Sequence, residues 1–372
     1  MKLKVMHLTG HLKTGGAENL ITDYALNFNK KNIDVIVVTL GRTQKSFNER
    51  KLEENGIKIM NLGDRYVFSN ANNFFKVAVN KIYRYFSFLK YVNKEKPNII
   101  HSHLLVVKYL IPVNSKKLRI KFFYTVHSEV GRLFRKERIL FRFYTRYCIK
   151  IKGMVPIALH SRMQKEVNEL FKTDKCIVLN NAVDINRFNS SNFDRNSIRE
   201  SLGLKNDTFV VGHVGRFVEA KNHKFLIEVF KDVKEKCIKA HLLLIGTGEL
   251  EDKIKKQVKE LGLDMSVTFL GNRSDIPELM SAMDTFVFPS LREGFGNVLI
   301  EAQAIGLKCV VSSRVPNDAF ITKLVNPLGL NEPKEKWSTL ILEKNTPKVI
   351  NSSLESYDIN NVINKLEELY RA

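Results

Sequence analysis

Short apolar runs alternate with longer amphipathic stretches along the first half of the chain. Runs that are rich in Val and Ile are typical of strands buried on both faces of a parallel sheet. We predict strands at residues 4–8, 33–40, 57–61, 98–101, 121–127, 154–158 and 176–179. The stretches between them repeat apolar residues at helical spacing and predict helices at residues 16–28, 75–93, 132–148 and 161–171.

The same alternation begins again after a polar, turn-rich segment at residues 180–197. Here we predict strands at residues 209–215, 241–245, 267–270, 285–288 and 309–312, and helices at residues 223–233, 250–261, 276–283 and 298–305. Alternating strands and helices form parallel sheets through right-handed crossovers. We therefore predict an α/β protein of two doubly wound, Rossmann-like domains that face each other across a cleft. Residues 359–370 predict a final amphipathic helix.

Length and composition agree with two domains. The chain has 372 residues, of which 44% are hydrophobic, so each half can bury its own core. The apolar runs are shorter than the roughly 18 residues of a membrane span, and the N-terminal run is too broken for a signal peptide. The four cysteines lie far apart in the sequence, which indicates reduced thiols, so we expect a cytoplasmic protein.

The net charge of +21 indicates an anionic partner. Nucleic acid, a phosphorylated substrate and an anionic membrane surface would all fit that charge. The sequence carries no recognised motif for reading nucleic acid, so charge is the only support for that class of partner.

Two acids flank a glycine-rich turn in the stretch PSLREGFGNVLIEAQAIG, which begins at Pro289. Glycines let backbone amides approach a ligand closely, and the N-terminus of the helix that follows attracts anions. Glu301, about one turn into that helix, could accept hydrogen bonds from two hydroxyl groups of a ribose. Glu293 precedes the turn and is expected to point into the cleft. The alternative is an ordinary strand–helix turn with a capping acid and a surface acid.

Two cations follow the strand that ends at Gly215. Arg216 offers a planar fork to phosphate oxygens and Lys221 a point charge, so together they could neutralise a diphosphate without a metal. The alternative is a pair of solvated loop cations, which is the commoner situation for an isolated pair.

Glycines also mark two other strand–helix junctions. Gly246 and Gly248 follow a predicted strand, but the third glycine and the later acid of a dinucleotide fingerprint are missing, which argues against NAD. The turn at residues 14–18, which contains Gly15 and Gly16, follows the first strand and is expected to face the same cleft.

Three histidines lie at predicted strand ends. His127 is the best candidate for chemistry, because an imidazole at a strand tip can donate to a sugar hydroxyl or accept a proton. The alternative is a structural histidine bonded to a backbone carbonyl. His101 and His103 face one side of a strand without a third ligand, and the chain has no Asp-x-Asp, so we expect no metal site.

Taken together, these motifs resemble those of the retaining family 4 glycosyltransferases, which have the two-domain GT-B fold. The resemblance covers essentially the whole chain. It rests on Gly-Gly-Ala-Glu at 15–18, His127, Gly-Arg-x4-Lys at 215–221, Gly-x-Gly-Glu at 246–249, and two glutamates eight positions apart, Glu293 and Glu301. Asn222 and Lys308 depart from the family, which often has glycine and proline there.

The resemblance implies roles for the candidate residues. The donor nucleotide sugar would be bound by Arg216, Lys221, Gly246, Gly248, Arg273, Gly294, Phe295, Gly296, Asn297 and Glu301. Glu293 would contact the donor sugar, His127 would lie beside the anomeric carbon, and Gly15 and Gly16 would let the first loop close. The acceptor domain would span residues 1–185 and the nucleotide-sugar domain residues 186–355, with a C-terminal helix at 356–372 packing back onto the first domain.

The resemblance also implies an activity. It is the retaining transfer of a hexose or N-acetylhexosamine, with UDP as the favoured nucleotide, during capsular or other exopolysaccharide synthesis. No metal or other cofactor is expected. A sugar-nucleotide epimerase of the same fold is the alternative enzyme.

The expected acceptor is a saccharide linked to a lipid diphosphate. Residues 131–152 carry Arg135, Arg138, Arg142 and Arg146 at helical spacing, with apolar residues opposite, and residues 76–91 are basic and aromatic. Both stretches could lie peripherally on the inner face of the cytoplasmic membrane. The alternative is that their apolar faces pack on the sheet and the arginines are only solvated.

Overall fold

A computed structural model describes residues 2–13, 15–41, 45–64, 67, 73–135, 138–344 and 352–372. It divides into two compact units. The first ends at Ala182 and also includes Ile359–Ala372, and the second is Val183–Asp358. The domain boundaries expected from the sequence were 185/186 and 355/356. In the described ranges, the helices are too short or too polar for any of them to cross a bilayer.

The first unit is a parallel sheet of seven strands with helices between them. The strands are β1 (Lys4–Thr9), β2 (Asp34–Thr39), β3 (Lys58–Asn61), β4 (Ile99–His103), β5 (Lys121–Thr125), β6 (Val155–Ala158) and β7 (Ile177–Val178). The helices up to Ala182 are α1 (Gly16–Lys30), α2 (Phe47–Glu54), α3 (Phe74–Glu95), α4 (Ser115–Leu118), α5 (Val130–Leu133), α6 (Ile139–Lys152) and α7 (Ser161–Phe171). The strand order is β3-β2-β1-β4-β5-β6-β7, so the direction of winding reverses between β1 and β4.

One expected helix of this unit is wrong. Residues 132–148 were predicted as a single helix, but α5 ends at Leu133 and α6 begins only at Ile139. Arg135 therefore lies outside both helices, and Arg138 is the N-cap residue of α6. The four arginines consequently do not form one helical stripe.

The C-terminal helix completes the first unit. This helix, α14 (Ile359–Arg371), packs against α1. Its buried residues are Ile359, Val362, Ile363, Leu366 and Tyr370, which belong to the apolar face predicted from the sequence. The rings of Phe28 and Tyr370 lie 5.6 Å apart, and Lys31 forms a 2.8 Å ion pair with Glu367.

The second unit repeats the same architecture with six strands. They are β8 (Phe209–Val214), β9 (Ala240–Ile245), β10 (Val267–Gly271), β11 (Thr285–Phe288), β12 (Lys308–Ser312) and β13 (Val325–Leu328). The helices are α8 (Arg195–Ser201), α9 (His223–Lys236), α10 (Glu251–Glu260), α11 (Ile276–Ser281), α12 (Asn297–Ala304) and α13 (Lys334–Leu342). The parallel order β10-β9-β8-β11-β12-β13 reverses between β8 and β11. The predicted fold class, two doubly wound parallel α/β units, is confirmed.

Candidate active site

Most of the candidate residues of the second unit lie on two loops that leave neighbouring strands. β8 and β11 pair with each other, and the chain winds away from them in opposite directions. Ligands of open α/β sheets bind at the carboxyl ends of strands where the winding reverses. The β8–α9 loop carries Arg216 and Lys221, and the β11–α12 loop carries Glu293 and the glycines that follow it.

Backbone and side-chain hydrogen bonds join these two loops. The Leu291 amide donates to the Ala220 carbonyl at 2.8 Å, and the Asn222 side-chain amide donates to the Pro289 carbonyl at 3.2 Å. The loops are therefore held in a fixed register before any ligand binds.

Lys221 and Glu293 are paired with each other. Their Nζ and Oε1 atoms are 2.7 Å apart, and the two side chains are only 18% and 12% exposed. The Lys221 ammonium also lies 4.6 Å from the centre of the Phe288 ring. The family resemblance implies that Lys221 binds the donor diphosphate and that Glu293 contacts the donor sugar. Because the two groups are paired, one ligand could contact both.

The two candidate arginines differ in their surroundings. Arg216 is exposed, and among the described residues it has no ion-pair partner. Arg273 follows β10, two strands away from β8, and donates through two nitrogens to Asp275 at 2.7 and 2.5 Å. Arg273 is therefore not brought into the set formed by the β8 and β11 loops.

The glycine-rich turn leads directly into α12. Gly296 caps this helix with φ of 96°, in the left-handed region that favours glycine, and Asn297 begins the helix. Phe295 is buried and its ring stacks on that of Tyr357 at 6.0 Å, whereas Gly294 is partly exposed. Glu301 lies one turn into α12 and is half-buried. The turn thus presents its backbone and one carboxylate at the same helix end.

Gly246 and Gly248 contact neighbouring backbone. A Cβ atom on Gly246 would lie 2.3 Å from the Gly215 carbonyl oxygen, and one on Gly248 would lie 2.7 Å from the Phe217 nitrogen. These glycines let the β9–α10 loop pack against the loop that carries Arg216. Their observed role is to support that loop.

The first loop of the first unit contains the other two candidate glycines. Gly15 is extended, and a Cβ atom there would lie 2.4 Å from Glu18 Oε2. Gly16 is the first residue of α1, and a Cβ atom there would meet nothing within 4 Å. His11 Nδ1 lies 3.3 Å from Glu18 Oε1 in the same turn. Thr14 lies outside the described residues.

His127 belongs to a cluster of four histidines. His7 comes from β1, His101 and His103 come from β4, and His127 follows β5. His103 Nδ1 lies 2.9 Å from His127 Nε2, and His103 Nε2 lies 3.0 Å from His7 Nδ1. His101 bonds instead to Tyr370 Oη at 2.5 Å and to Thr125 Oγ1 at 2.7 Å. β5 ends at Thr125, so His127 lies beyond the strand and is only partly exposed.

Burial controls the charge state of this cluster. It lowers the pKa of His7 to about 3 and that of His127 to about 4, and it holds the pKa of His101 and His103 well below the ordinary value. All four rings are therefore neutral at pH 7.

Sequence reasoning missed His7. The residue lies inside an apolar strand rather than at its end, yet β1 pairs with β4 so that His7 stands beside His101. That neighbour relation needs the strand order, which the local pattern does not contain. The expectation of no metal site relied on the lack of a third ligand, and His7 supplies one, since His7, His101 and His103 place ligand atoms within 4.8 Å of one another.

The sequence matches two family models in succession. Residues 14–187 match "Glycosyltransferase Family 4", and residues 194–334 match "Glycosyl transferases group 1".

Curated relatives carry related names. The putative glycosyltransferase EpsF of Bacillus subtilis is 38% identical over 44% of this chain and 43% of that protein. An α-1,3-galactosyltransferase of Escherichia coli, named for UDP-Gal and a GlcNAc-diphosphoundecaprenol, is 29% identical over 63% of this chain and 62% of that protein. The capsular polysaccharide biosynthesis glycosyltransferase CapM of Staphylococcus aureus is 29% identical over 76% of this chain and 73% of that protein. The match thus spans less than two thirds of the first two relatives.

A solved structure shares the fold over the whole chain. HepE of Anabaena in complex with UDP-glucose is 20% identical to this chain, with a TM-score of 0.78. The alignment covers 99% of this chain and 99% of HepE.

Proposed function

We propose that this chain, whose two halves match glycosyltransferase family models, transfers a sugar from a nucleotide-diphosphate donor during polysaccharide synthesis. One observation supports this most directly. Lys221, Glu293 and the glycine-rich N-terminus of α12 stand together where the winding of the second sheet reverses. An ammonium, a carboxylate and the backbone amides of a helix N-terminus suit a ligand that joins an anion to a polyol.

The donor would be held by groups of opposite charge. Lys221, Arg216 and the amides of Gly294, Phe295 and Gly296 would bind the diphosphate, and Glu301 would accept hydrogen bonds from the ribose. Arg273 would contact the base, although it is paired with Asp275 in the free protein. Cations and amides would neutralise the diphosphate, so the reaction needs no bound metal.

We favour a UDP-sugar as donor, with a hexose or N-acetylhexosamine as the transferred group. Support comes from the UDP-glucose that HepE binds and from the UDP-Gal in the name of the Escherichia coli relative.

The transfer would retain the configuration of the sugar. The bond between the anomeric carbon and the diphosphate oxygen breaks, the acceptor oxygen bonds to that carbon on the same face, and the departing diphosphate takes the acceptor's proton. Lys221 and Arg216 would stabilise the charge that develops on the diphosphate. Glu293 would contact the donor sugar and His127 would lie beside its anomeric carbon, so neither needs to act as a nucleophile.

The acceptor would be a saccharide on a lipid diphosphate at an anionic membrane. Both α3 and α6 pack against the short turn Val107–Leu110 and leave large apolar side chains in solvent. Those that are more than half exposed are Phe74, Phe75, Ile82, Phe86, Ile139, Leu140, Phe143 and Ile151. Basic residues lie among them, including Lys81, Lys90, Arg142 and Arg146. Exposed aromatic and basic groups on one helix are typical of segments that bind the membrane interface.

A donor panel tests the enzymatic part. Nucleotide sugars are screened by thermal shift, and the best ligand is then used in a transfer assay with a lipid-diphosphate saccharide. Lys221→Ala and Glu301→Ala should lose transfer, whereas Lys224→Ala, an exposed lysine on the helix after the same loop, should keep it. Full activity of either site variant would refute the donor site. Release of a free isomer from donor without acceptor would indicate an epimerase.

Vesicle flotation tests the membrane part. The protein should float with vesicles that contain phosphatidylglycerol but much less with neutral ones, because each basic side chain near the surface adds about 1 kcal/mol. Replacing Phe75 and Phe86 together by Ser should weaken binding at least about tenfold, because each buried phenyl ring is worth about 2 kcal/mol. Met265→Ser, at a position of the second unit that is 93% exposed, is the control. Equal recovery with both vesicle types would show that the arginines and lysines are only solvated.

A further inference from the structure

A hydrogen-bonded line of three histidine rings runs from the interior of the first sheet to His127. His7 and His103 are both fully buried, and each contact in the line joins two ring nitrogens. His7 Nε2, at the inner end, has no hydrogen-bond partner among the residues that the structure describes. The line therefore has one buried end, at His7, and one partly exposed end, at His127.

Neutral rings allow only two arrangements of protons in this line. A neutral imidazole carries one N–H and one lone pair, and each ring-to-ring contact needs one of each. In the first arrangement, His7 Nδ1–H donates to His103, and His103 Nδ1–H donates to His127 Nε2. In the second, both donations run the other way, from His127 toward His7.

The buried end distinguishes the two arrangements. The second arrangement would leave a proton on His7 Nε2 with no acceptor, whereas the first leaves a bare lone pair there. Orphaned buried N–H groups are rarer in proteins than under-satisfied acceptors, so the first arrangement is favoured. His101 does not compete, because both of its nitrogens bond to Tyr370 and Thr125.

We propose that His103, supported by His7, fixes the tautomer of His127 by donating to its Nε2, so that His127 presents Nδ1–H to the substrate. The inference rests on the proposed role of His127 in the transfer reaction. In this tautomer His127 donates a hydrogen bond, as to a hydroxyl of the sugar, and its basic nitrogen is already occupied. His103 and His7 are positioning residues that act through His127.

The tautomer can be measured in the free protein. In full-length protein with ¹⁵N-labelled histidine, His127 should show a pyridine-like Nε2 and a pyrrole-like Nδ1 at pH 7. His103→Leu should abolish that preference and give a mixed signal, whereas His103→Asn, whose Nδ2 takes the place of the donating Nδ1, should preserve it. His101→Asn is the control, because it removes a neighbouring buried ring that stacks on His103 but takes no part in the hydrogen bonds of the line.

Kinetics then test whether the tautomer matters. His103→Leu should lower kcat about 10- to 100-fold, the scale of a misplaced catalytic group, with the donor KM nearly unchanged, and His103→Asn should restore most of it. If His103→Leu does not fold, His103→Asn and His7→Leu carry the comparison.

Several outcomes would overturn the proposal. They are a pyrrole-like Nε2 on His127, a tautomer that is unchanged in folded His103→Leu, and stoichiometric zinc in the purified protein, since a metal would occupy these nitrogens. The tautomer measurement needs no substrate. A correct tautomer combined with no transfer activity would therefore refute the proposed function but not the histidine line.

Discussion

Asn222 holds a backbone conformation that residues other than glycine rarely adopt. Its φ is 57°, and it stands between Lys221 and the first residue of α9, where the family resemblance leads us to expect glycine. Asparagine tolerates this region better than most side chains, and here its amide also bonds to the Pro289 carbonyl. The departure from the family thus preserves the loop geometry.

Substitution of Asn222 should therefore separate backbone strain from the lost hydrogen bond. We expect Asn222→Ala to lower the free energy of unfolding by about 2 kcal/mol, through strain and the lost bond, and Asn222→Gly by only about 1 kcal/mol. Urea unfolding of the wild type and the two variants measures both effects. An alanine variant as stable as the glycine variant would contradict the strain argument.

The Lys221–Glu293 pair implies competition between the carboxylate and a bound diphosphate. With both side chains largely buried, the lysine is already neutralised before the donor arrives. Glu293→Gln should free the ammonium and remove a negative charge from the site. UDP should then bind about 10-fold tighter, since a charged hydrogen bond is worth about 1.5–3 kcal/mol, while sugar transfer is lost.

Calorimetric titration of UDP checks this expectation. Glu219→Gln is the matched control, because that glutamate pairs with Arg292 at 3.3 Å on the neighbouring loop and is 76% exposed. Weaker or unchanged UDP binding by Glu293→Gln would mean that the carboxylate does not compete with the diphosphate.

At the scale of elements, the contact between the β8–α9 and β9–α10 loops depends on Gly246 and Gly248. Gly246→Ala should destabilise the ligand-free protein by about 1–3 kcal/mol, because its Cβ would overlap the Gly215 carbonyl and its φ is 131°. Gly131→Ala, at a glycine with open space around it, is the control. Differential scanning calorimetry of the ligand-free variants measures this destabilisation as a lower Tm. A variant that loses UDP binding while keeping its Tm would mean that this glycine contacts the ligand instead.

The sequence pattern predicted most strands because a buried parallel strand is apolar along its whole length. It missed β13, which contains Pro327, and the polar helix α2, in which Leu52 is the only buried apolar residue. Ser46 and Glu49 do form the capping box that could have revealed α2. The break between α5 and α6 was also missed, since the residues between them continue the spacing of arginines.

Site residues were predictable where they directly follow a strand. They were less predictable where the contact between them depends on which strands are neighbours in the sheet. Glu293, Lys221 and the α12 turn follow β8 and β11 directly, so local pattern locates them. The pairing of Lys221 with Glu293, and the place of His7 beside His101, depend on which strands are neighbours. Sequence position alone does not contain that information.

At the scale of the whole molecule, buried histidines in both units make stability depend on pH. Burial lowers the pKa of His7 to about 3, of His127 and His213 to about 4, and of His223 to about 2, from an ordinary 6.5. Below about pH 6.5 the unfolded chain therefore binds protons that the folded chain does not. Stability should be fully present above that pH and fall as the pH drops toward about 4, ahead of most carboxylate titration.

His223 allows this dependence to be tested in one unit. In the described part of the chain, both of its ring nitrogens lack hydrogen-bond partners, and the ring stacks on Phe217 at 4.1 Å. A phenyl ring should therefore replace it without leaving a polar group unpaired. His223→Phe should raise stability relative to wild type by roughly 1–2 kcal/mol at pH 5 and much less at pH 7. Calorimetric Tm values at the two pH values measure the difference. His241→Phe, at a partly exposed histidine bonded to Thr268, should show a smaller effect. If His223→Phe changes Tm equally at both pH values, protonation of the buried histidine does not contribute to the acid sensitivity of the fold.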